Sequence, residues 1–168
     1  MITGSKVRLY RKRLANAPND YAWKKDPELA YLTATPPPKA NFPDYLLNYA
    51  SQLRLTTRHE FAIETLDGEY IGNCACFDIN KTKGEAEVGI VIGDRRYWDK
   101  GYGTDAVNVL VSYIFSQMKL RRIYLKTLFP NKRAQKCFNK CGFVPYGHLA
   151  KDGNSFVLME LHRKEYQE

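Results

Sequence analysis

The segment Glu87-Val88-Gly89-Ile90-Val91-Ile92, followed shortly by Trp98-Asp99-Lys100-Gly101-Tyr102-Gly103-Thr104, decides the fold of this chain. Its first part is an apolar, β-branched run that predicts a buried strand. From Thr104 onwards, apolar residues recur at positions 107, 110, 111, 114 and 118, and this helical spacing predicts a long helix. A strand therefore leads through a glycine-bearing loop into a helix. Because loop amides and a helix N-terminus attract anions, the pattern predicts a phosphate-binding site.

Two common phosphate-binding motifs do not fit this loop. It lacks the Gly-Lys-Ser/Thr ending of the P-loop and the third glycine of the dinucleotide-binding fingerprint. A Gly-x-Gly pair alone often marks only a turn, so the prediction of a phosphate site needs support from the rest of the chain.

The residues before this segment predict helices and then an antiparallel meander. Val7 to Tyr10 predicts a strand, and helical stretches are predicted to begin at Asn19-Asp20 and at Asp26-Pro27. An amphipathic helix is predicted over 42–56. Asp67-Gly68 is a strong signal for a hairpin turn. The three consecutive strands of the meander are predicted at about 61–65, 69–78 and 86–92.

The residues after the long helix predict an alternation of strands and one more helix. A strand is predicted over 122–128 and a helix over 131–141, with Gly142 as its left-handed cap. Two final strands are predicted over 143–149 and 155–162. This order predicts an α+β fold with a mixed, mostly antiparallel central sheet of about seven strands, flanked by about four helices. The length of 168 residues predicts a single domain over 1–168.

Composition and cysteine usage narrow the class of protein. Hydrophobic residues make up 44% and aromatic residues 13% of the chain, which suffices for a buried core. No apolar run is long enough to span a membrane and the N-terminus lacks a signal-peptide core, so we expect a cytoplasmic protein without membrane association. The cysteines form no Cys-x-x-Cys pair and the histidines are scattered. We therefore expect no metal site, and interpret the cysteines as reduced, small apolar residues.

The net charge of +8 and the pI near 9.3 predict a field that attracts anions. A nucleic acid, a phosphorylated cofactor and an acidic protein surface would all satisfy this condition. Because the lysines and arginines are spread along the chain, with no recognition helix or aromatic platform, nucleic acid is not an expected partner.

Two segments together resemble the GNAT acetyltransferases. Residues 86–104 resemble motif A, whose loop is Gln/Arg-x-x-Gly-x-Gly/Ala, with Trp98 in place of Gln or Arg. Downstream, Asn131-Lys132-Arg133-Ala134, Phe138 and Lys140-Cys141-Gly142-Phe143 resemble the end of motif B, Asn-x-x-Ala/Ser…Tyr…Lys-x-Gly-Phe. The stretch from Tyr97 to Ala106 is similar in particular to the RimJ/RimL-type acetyltransferases of ribosomal-protein N-termini.

The resemblance implies a GNAT fold and acetyl-CoA as co-substrate. The strand backbone would contact the pantetheine arm, the loop would hold the pyrophosphate, and the start of the second motif helix would contact the pantetheine and the adenosine phosphates. The implied acetyl-CoA-binding residues are Ile90, Val91, Ile92, Lys100, Gly101, Tyr102, Gly103, Thr104, Asn131, Arg133 and Lys136.

Catalysis requires that the acceptor amine lose a proton. Family members often use a carboxylate on the motif A strand, so Glu87 is the predicted catalytic base and Glu85 the second candidate. Either carboxylate could instead be a structural partner of a lysine or arginine. Phe138 occupies the position of the tyrosine that usually protonates the leaving thiolate. The acid is therefore unassigned, and Tyr102, Tyr124 and Tyr146 are candidate replacements.

The acceptor is not determined by the sequence. By resemblance, the first expectation is acetyl transfer to a protein N-terminal amine by direct attack in a ternary complex. The alternatives are a small-molecule amine, such as a polyamine or an aminoglycoside, and a non-catalytic CoA-binding sensor. The positive charge disfavours a polycationic acceptor unless a local acidic pocket overrides it. The expected partners are acyl-CoA and an amine, and a homodimer is compatible with the sequence.

Overall fold

The computed structural model describes residues 1–166 and contains one eight-stranded sheet. Its strands are β1 (Ile2–Thr3), β2 (Val7–Arg11), β3 (His59–Thr65), β4 (Tyr70–Asn80), β5 (Glu85–Ile92), β6 (Arg122–Leu128), β7 (Val144–Lys151) and β8 (Asn154–His162). They lie in the order β1-β2-β3-β4-β5-β6-β8-β7. Neighbouring strands are antiparallel, except for the parallel pair β5 and β6.

Helices cover both faces of the sheet. They are α1 (Ala17–Lys25), α2 (Pro27–Leu32), α3 (Phe42–Gln52), α4 (Tyr102–Ser116) and α5 (Lys132–Lys140). Successive residues of a strand point to opposite faces, and β4 illustrates the division. Cys74 and Cys76 are buried in the main core together with α4 and α5, whereas Asn73 donates a hydrogen bond to Asp20 of α1. The helices α1 to α3 therefore lie on the face opposite to α4 and α5.

The sheet opens at its centre, between the two parallel strands. β5 and β6 are paired only from Glu85 with Arg122 to Glu87 with Tyr124. Beyond these residues β5 stays paired with β4 as far as Ile92, and β6 stays paired with β8 as far as Leu128. The carboxyl-terminal halves of β5 and β6 thus have no partner on the sides that face each other.

Local sequence explains where the helices beside this opening begin and end. Gly101 has φ of 87° and precedes α4, a backbone conformation that glycine adopts without strain. The side chain of Asn131 accepts a hydrogen bond from the amide of Ala134 and so caps α5. Gly142, with φ of 97°, ends α5, and the ring of Phe143 then packs against Phe138.

The predicted α+β class and the mixed, mostly antiparallel sheet are confirmed. The structure adds β1, which has two residues and is too short to produce a sequence pattern. The helix predicted over 42–56 was extended too far, because residues 53–55 form tighter turns in which the Arg54 and Leu55 amides bond to Ser51 and Gln52. In residues 1–166, none of the helices has the length and apolar character needed to cross a membrane.

Candidate functional site

A cavity of about 810 Å³ lies where β5 and β6 separate. It reaches from the start of α4 and α5, on one face of the sheet, to residues of α1, β3 and β4 on the other. The predicted site residues that line it are Glu87, Ile90, Val91, Ile92, Gly101, Gly103, Thr104, Asn131, Arg133 and Lys136. The tertiary structure therefore brings most of the predicted site together, although these residues come from three elements, β5, α4 and α5, and the caps of the two helices.

The unpaired edge of β5 supplies backbone groups along one wall. From Val88 to Ile92 this edge has no strand partner and can pair with an extended ligand as an added strand would. The carbonyl oxygen of Ile92 is already engaged, since the indole Nε1 of Trp98 donates to it at 2.7 Å. Sequence reasoning treated Trp98 only as a departure from the motif, whereas its side chain fastens the loop to the end of β5.

The start of α4 forms a concave surface of backbone amides. A Cβ atom built on Gly103 would lie 3.7 Å from Cys137 Sγ and 3.7 Å from a side-chain carbon of Ile92, which are ordinary contacts. The packing of the protein therefore does not by itself require glycine at 103. The absence of a side chain does leave the helix N-terminus open to the cavity, as an anion-binding cradle needs.

Two of the predicted acetyl-CoA contacts lie outside the cavity wall, namely Lys100 and Tyr102. Tyr102 instead packs edge-on against Tyr97, and the Lys6 ammonium lies 5.0 Å from its ring centre. Side-chain contacts of these two residues with a ligand stay predictions. The position of Tyr102 makes it a packing residue in this structure.

At the start of α5, Arg133 is held in place by two neighbours. Its guanidinium lies 3.9 Å from the centre of the Trp98 ring and its Nε lies 3.3 Å from a carboxylate oxygen of Asp99. A guanidinium stacked on an indole is a favourable cation–π arrangement. Asn131 uses its side-chain oxygen as the helix cap, so only its amide nitrogen is left for a ligand. Lys136 also faces the cavity.

Cys137 is a residue of the cavity wall that sequence reasoning interpreted only as a small apolar side chain. Its Sγ lies 3.6 Å from the Thr104 hydroxyl, beside the cradle. Hydrogen bonding by the Cys141 thiol, together with that of Thr104, outweighs burial and lowers the pKa of the Cys137 thiol. The spacing of the two cysteines, one helical turn apart on α5, is the signal in the sequence that they interact.

Glu87 is the carboxylate at the floor of the opening. Burial raises its pKa and the charge of Asp78 adds to the rise, whereas the charges of Lys126 and Lys151 oppose it. Within residues 1–166 its side chain forms no ion pair. Glu85 differs, because Arg122 binds it at 3.1 Å and also binds Glu160 at 2.7 Å. Of the two candidate bases, Glu87 alone lines the cavity and is free to accept a proton.

The tyrosines considered as proton donors to the leaving thiolate are differently placed. Tyr124 lies opposite Glu87, and burial followed by the charge of Glu87 raises its pKa. Tyr146 is 45% exposed and its ring lies 5.1 Å from the guanidinium of Arg122. Phe138 is buried and lines the cavity with a ring that has no proton to give. None of the three candidate tyrosines is among the residues that line the cavity.

A buried polar network on the α1 side was not anticipated from the sequence. The carboxylate of Asp20 is 1% exposed and accepts hydrogen bonds from Tyr49 at 2.8 Å and Tyr70 at 2.6 Å. Lys12 forms an ion pair with it at 2.8 Å, and Asn73 donates to it at 2.5 Å. Burial alone would raise the pKa of Asp20, but the ammonium and the hydrogen bonds outweigh it and lower the pKa.

The described part of the chain has no group of three or more side chains placed to bind a metal ion. The cavity wall offers backbone amides, the carboxylates of Glu87 and Asp152 and several cationic side chains.

A glycine cradle at a helix N-terminus, next to two parallel strands that part around a cavity, defines an acyl-CoA-dependent transferase of the GNAT type. The chain belongs to this family, because residues 7–144 match the family profile described as "Acetyltransferase (GNAT) domain". The predictions of a GNAT fold, of an N-acetyltransferase class of enzyme and of acetyl-CoA as co-substrate are confirmed at the level of the family.

Relatives were found by sequence and by structure. A spermidine N(1)-acetyltransferase of Vibrio cholerae is 28% identical over 62% of this chain, and the match spans 60% of that relative's own length. The uncharacterized N-acetyltransferase p20 of Bacillus licheniformis is 30% identical over 74% of this chain and 71% of its own length. A crystal structure of spermidine N-acetyltransferase from Vibrio cholerae in complex with CoA and spermine has a TM-score of 0.88 at 21% identity, covering 96% of this chain and 98% of the other.

These relatives support the acetyltransferase family and give no support to the RimJ/RimL subgroup, since none of the three is described as a protein of that type. They favour the small-molecule alternative over a protein N-terminus.

Proposed function

We propose that this chain transfers the acetyl group of acetyl-CoA to a primary amine of a small molecule. One observation carries this proposal: Glu87, a carboxylate without an ion-pair partner in the described residues, lies where β5 and β6 part, in a cavity that also reaches the cradle at the start of α4. The donor and a proton acceptor can thus meet from opposite faces of the sheet.

In this reaction the amine nitrogen forms a bond to the acetyl carbon, and the carbon–sulfur bond breaks. The amine loses a proton to Glu87, directly or through water. Since a raised pKa brings a carboxylate closer to the working pH, burial of Glu87 makes it a better proton acceptor than an exposed glutamate. CoA leaves as a thiolate, and because a free thiol has a pKa of about 8.5, departure requires little help from an acid.

The choice of a small-molecule amine draws on the relatives. Two of the three proteins named above are described as spermidine N-acetyltransferases, one of them in complex with spermine. Polyamines are therefore among the first acceptors to be tried. Acetylation of a protein N-terminus is kept as a secondary proposal. A homodimer is a further proposal, and sedimentation of the purified protein tests it.

The test is a screen for CoA release at saturating acetyl-CoA. The acceptors are polyamines, aminoglycosides, simple alkyl amines with and without a second charged group, and peptides with free N-termini. Release with a small amine, lost in Glu87→Gln, supports the proposal. Release with peptides alone would restore the N-terminal substrate. Stabilisation by acetyl-CoA without release for any amine would make the chain a CoA-binding sensor.

A further inference from the structure

The charges that line the cavity on the Glu87 face of the sheet point to the chemistry of the acceptor. We call this part the acceptor end. Its charged residues are Lys12, Asp20, Lys24, Arg58, Glu60, Glu87, Lys126, Lys151 and Asp152. They come from elements spread over the whole chain, so their grouping is a product of the tertiary structure.

Two of the four acidic side chains at the acceptor end already have partners. Asp20 is fully buried and bound by Lys12, Tyr49 and Tyr70, so it cannot reach a ligand. Glu60 forms an ion pair with Arg58 at 3.2 Å. Of the four acidic residues at the acceptor end, Glu87 and Asp152 form no ion pair with a described residue, and Glu87 is the proposed base.

Three of the five cationic side chains at the acceptor end have no ion-pair partner among the described residues. Lys24, Lys126 and Lys151 form no ion pair with a carboxylate in the described part of the chain. Lys126 and Lys151 are close enough to Glu87 for their charges to act on it. Lys24 keeps contact with solvent, yet desolvation by the cavity wall and the nearby Lys12 ammonium lower its pKa. A bound anion would relieve the crowding of positive charge.

The segment that covers this end adds no acidic group. Residues 29–41 contain no Asp or Glu and one lysine, and six of these residues line the cavity: Leu29, Ala30, Leu32, Thr33, Ala34 and Thr35. A polycationic acceptor would need a local acidic pocket to offset the basic charge of the whole chain. The covering segment, within the residues that the structure describes, does not supply one. A polycation would place its distal ammonium groups among lysines, which opposes binding.

We propose that the acceptor is a small amine that also carries an anionic group, a carboxylate or a phosphate, which Lys126 and Lys151 bind while the amine faces Glu87. This inference rests on the proposed acetyl transfer and specifies its substrate class. An acceptor of this kind differs from a polyamine, whose charged groups are all positive.

The test compares 4-aminobutyrate, butylamine and putrescine, which share a four-carbon chain and differ in the group opposite the reacting amine. A fourth acceptor, 3-aminopropyl phosphate, distinguishes phosphate from carboxylate. We expect kcat/KM to be about tenfold or more higher for an anionic acceptor than for butylamine, because the ammonium groups of Lys126 and Lys151 attract its negative charge. For putrescine we expect kcat/KM to be lower than for butylamine, because the same two lysines repel its second positive charge.

Charge-removing variants locate the effect. Lys126→Gln and Lys151→Gln should each lower kcat/KM for the anionic acceptor about threefold to tenfold relative to butylamine, and raise it for putrescine relative to butylamine. Lys81→Gln, an exposed lysine outside the cavity, removes the same charge and should leave all ratios unchanged. Rates are measured at a pH above the titration of Glu87, so that effects on its pKa do not contribute.

Preference for putrescine over the anionic acceptors, or equal responses of all acceptors in the lysine variants, overturns this inference while the proposed acetyl transfer stands. Stabilisation by acetyl-CoA without CoA release for any amine, in contrast, overturns the proposed function itself. Selectivity for the phosphate over the carboxylate, or the reverse, identifies which anion the lysines bind.

Discussion

Glu87 lies directly opposite Tyr124, and they form the last residue pair before β5 and β6 separate. This position puts the half-buried carboxylate at the floor of the opening, where the cavity begins. The pairing also explains the raised pKa of Tyr124, to which burial contributes first and the charge of Glu87 second.

Glu87→Gln should lower kcat by about 10² to 10⁴ if Glu87 is the general base, with acetyl-CoA affinity nearly unchanged. In the unaltered enzyme, the rate should fall on the acidic side with a midpoint above the ordinary glutamate pKa of about 4.3, because burial raises the pKa of Glu87. Steady-state CoA release against pH measures both effects. A loss in kcat of less than about fivefold would reduce Glu87 to a structural role.

The stability of the same variant provides its control. A carboxyl group whose pKa is raised by folding stabilises the folded protein fully below its unfolded pKa, and this contribution is lost as the pH rises through the folded pKa. At neutral pH, Glu87→Gln should therefore be at least as stable as the parent in denaturant unfolding. A less stable variant would mean that the loss of rate reflects damage to the fold.

Gly103→Val should abolish the increase in Tm that acetyl-CoA produces, because a branched side chain at the start of α4 would occupy the cradle. Gly147→Val is the matched control outside the cavity, where a new Cβ would likewise meet only ordinary contact, 3.6 Å from a side-chain carbon of Leu158. Thermal unfolding with and without acetyl-CoA measures the shift. An undiminished shift in a folded Gly103→Val protein would contradict the cradle.

Asp20→Asn should destabilise the fold by about 3–5 kcal/mol at neutral pH, because it leaves the Lys12 ammonium without its partner in a buried site. Since folding lowers the pKa of Asp20, its stabilising effect is complete above the unfolded pKa of about 3.9 and is lost as the pH falls through the folded pKa. The difference between variant and parent should therefore shrink in acid. Denaturant unfolding at pH 7 and at pH 3 measures it.

The exposed ion pair of Arg58 with Glu60 is the control for this measurement. Glu60→Gln should change the free energy of unfolding by no more than about 1 kcal/mol, as expected for partly exposed pairs. Equal losses for Glu60→Gln and Asp20→Asn would contradict a special role for the buried network.

Tyr102→Phe, Tyr124→Phe and Tyr146→Phe should each lower kcat by no more than about tenfold, because a thiolate is already a fair leaving group. Phe138→Tyr should also change it little. The structure strengthens this expectation for Tyr102 and Tyr146, neither of which lines the cavity. A hundredfold loss in any one variant with acetyl-CoA binding intact would reveal a dedicated acid.

The order of the elements could be predicted from the sequence, and most of the residues that it assigns to the acetyl-CoA site line one cavity. β5, the glycine loop and α4 are contiguous in the chain, and their conformations follow from local rules for β-branched runs, glycine and helix spacing. The same holds for the Asn131 cap and the Gly142 end of α5. The exceptions are Lys100 and Tyr102, whose side-chain directions depend on packing that no local pattern expresses.

The sequence by itself determined the family and the acyl donor, because both depend on segments whose residues are neighbours along the chain. Only the tertiary structure distinguished the surroundings of Glu85 and Glu87, since Arg122 of β6, which also binds Glu160 of β8, forms an ion pair with Glu85. It also decided the charge around the acceptor, which is set by residues as far apart as Lys12 and Lys151. Electrostatic interactions act through space, so the charges that meet in one cavity follow from how the chain packs.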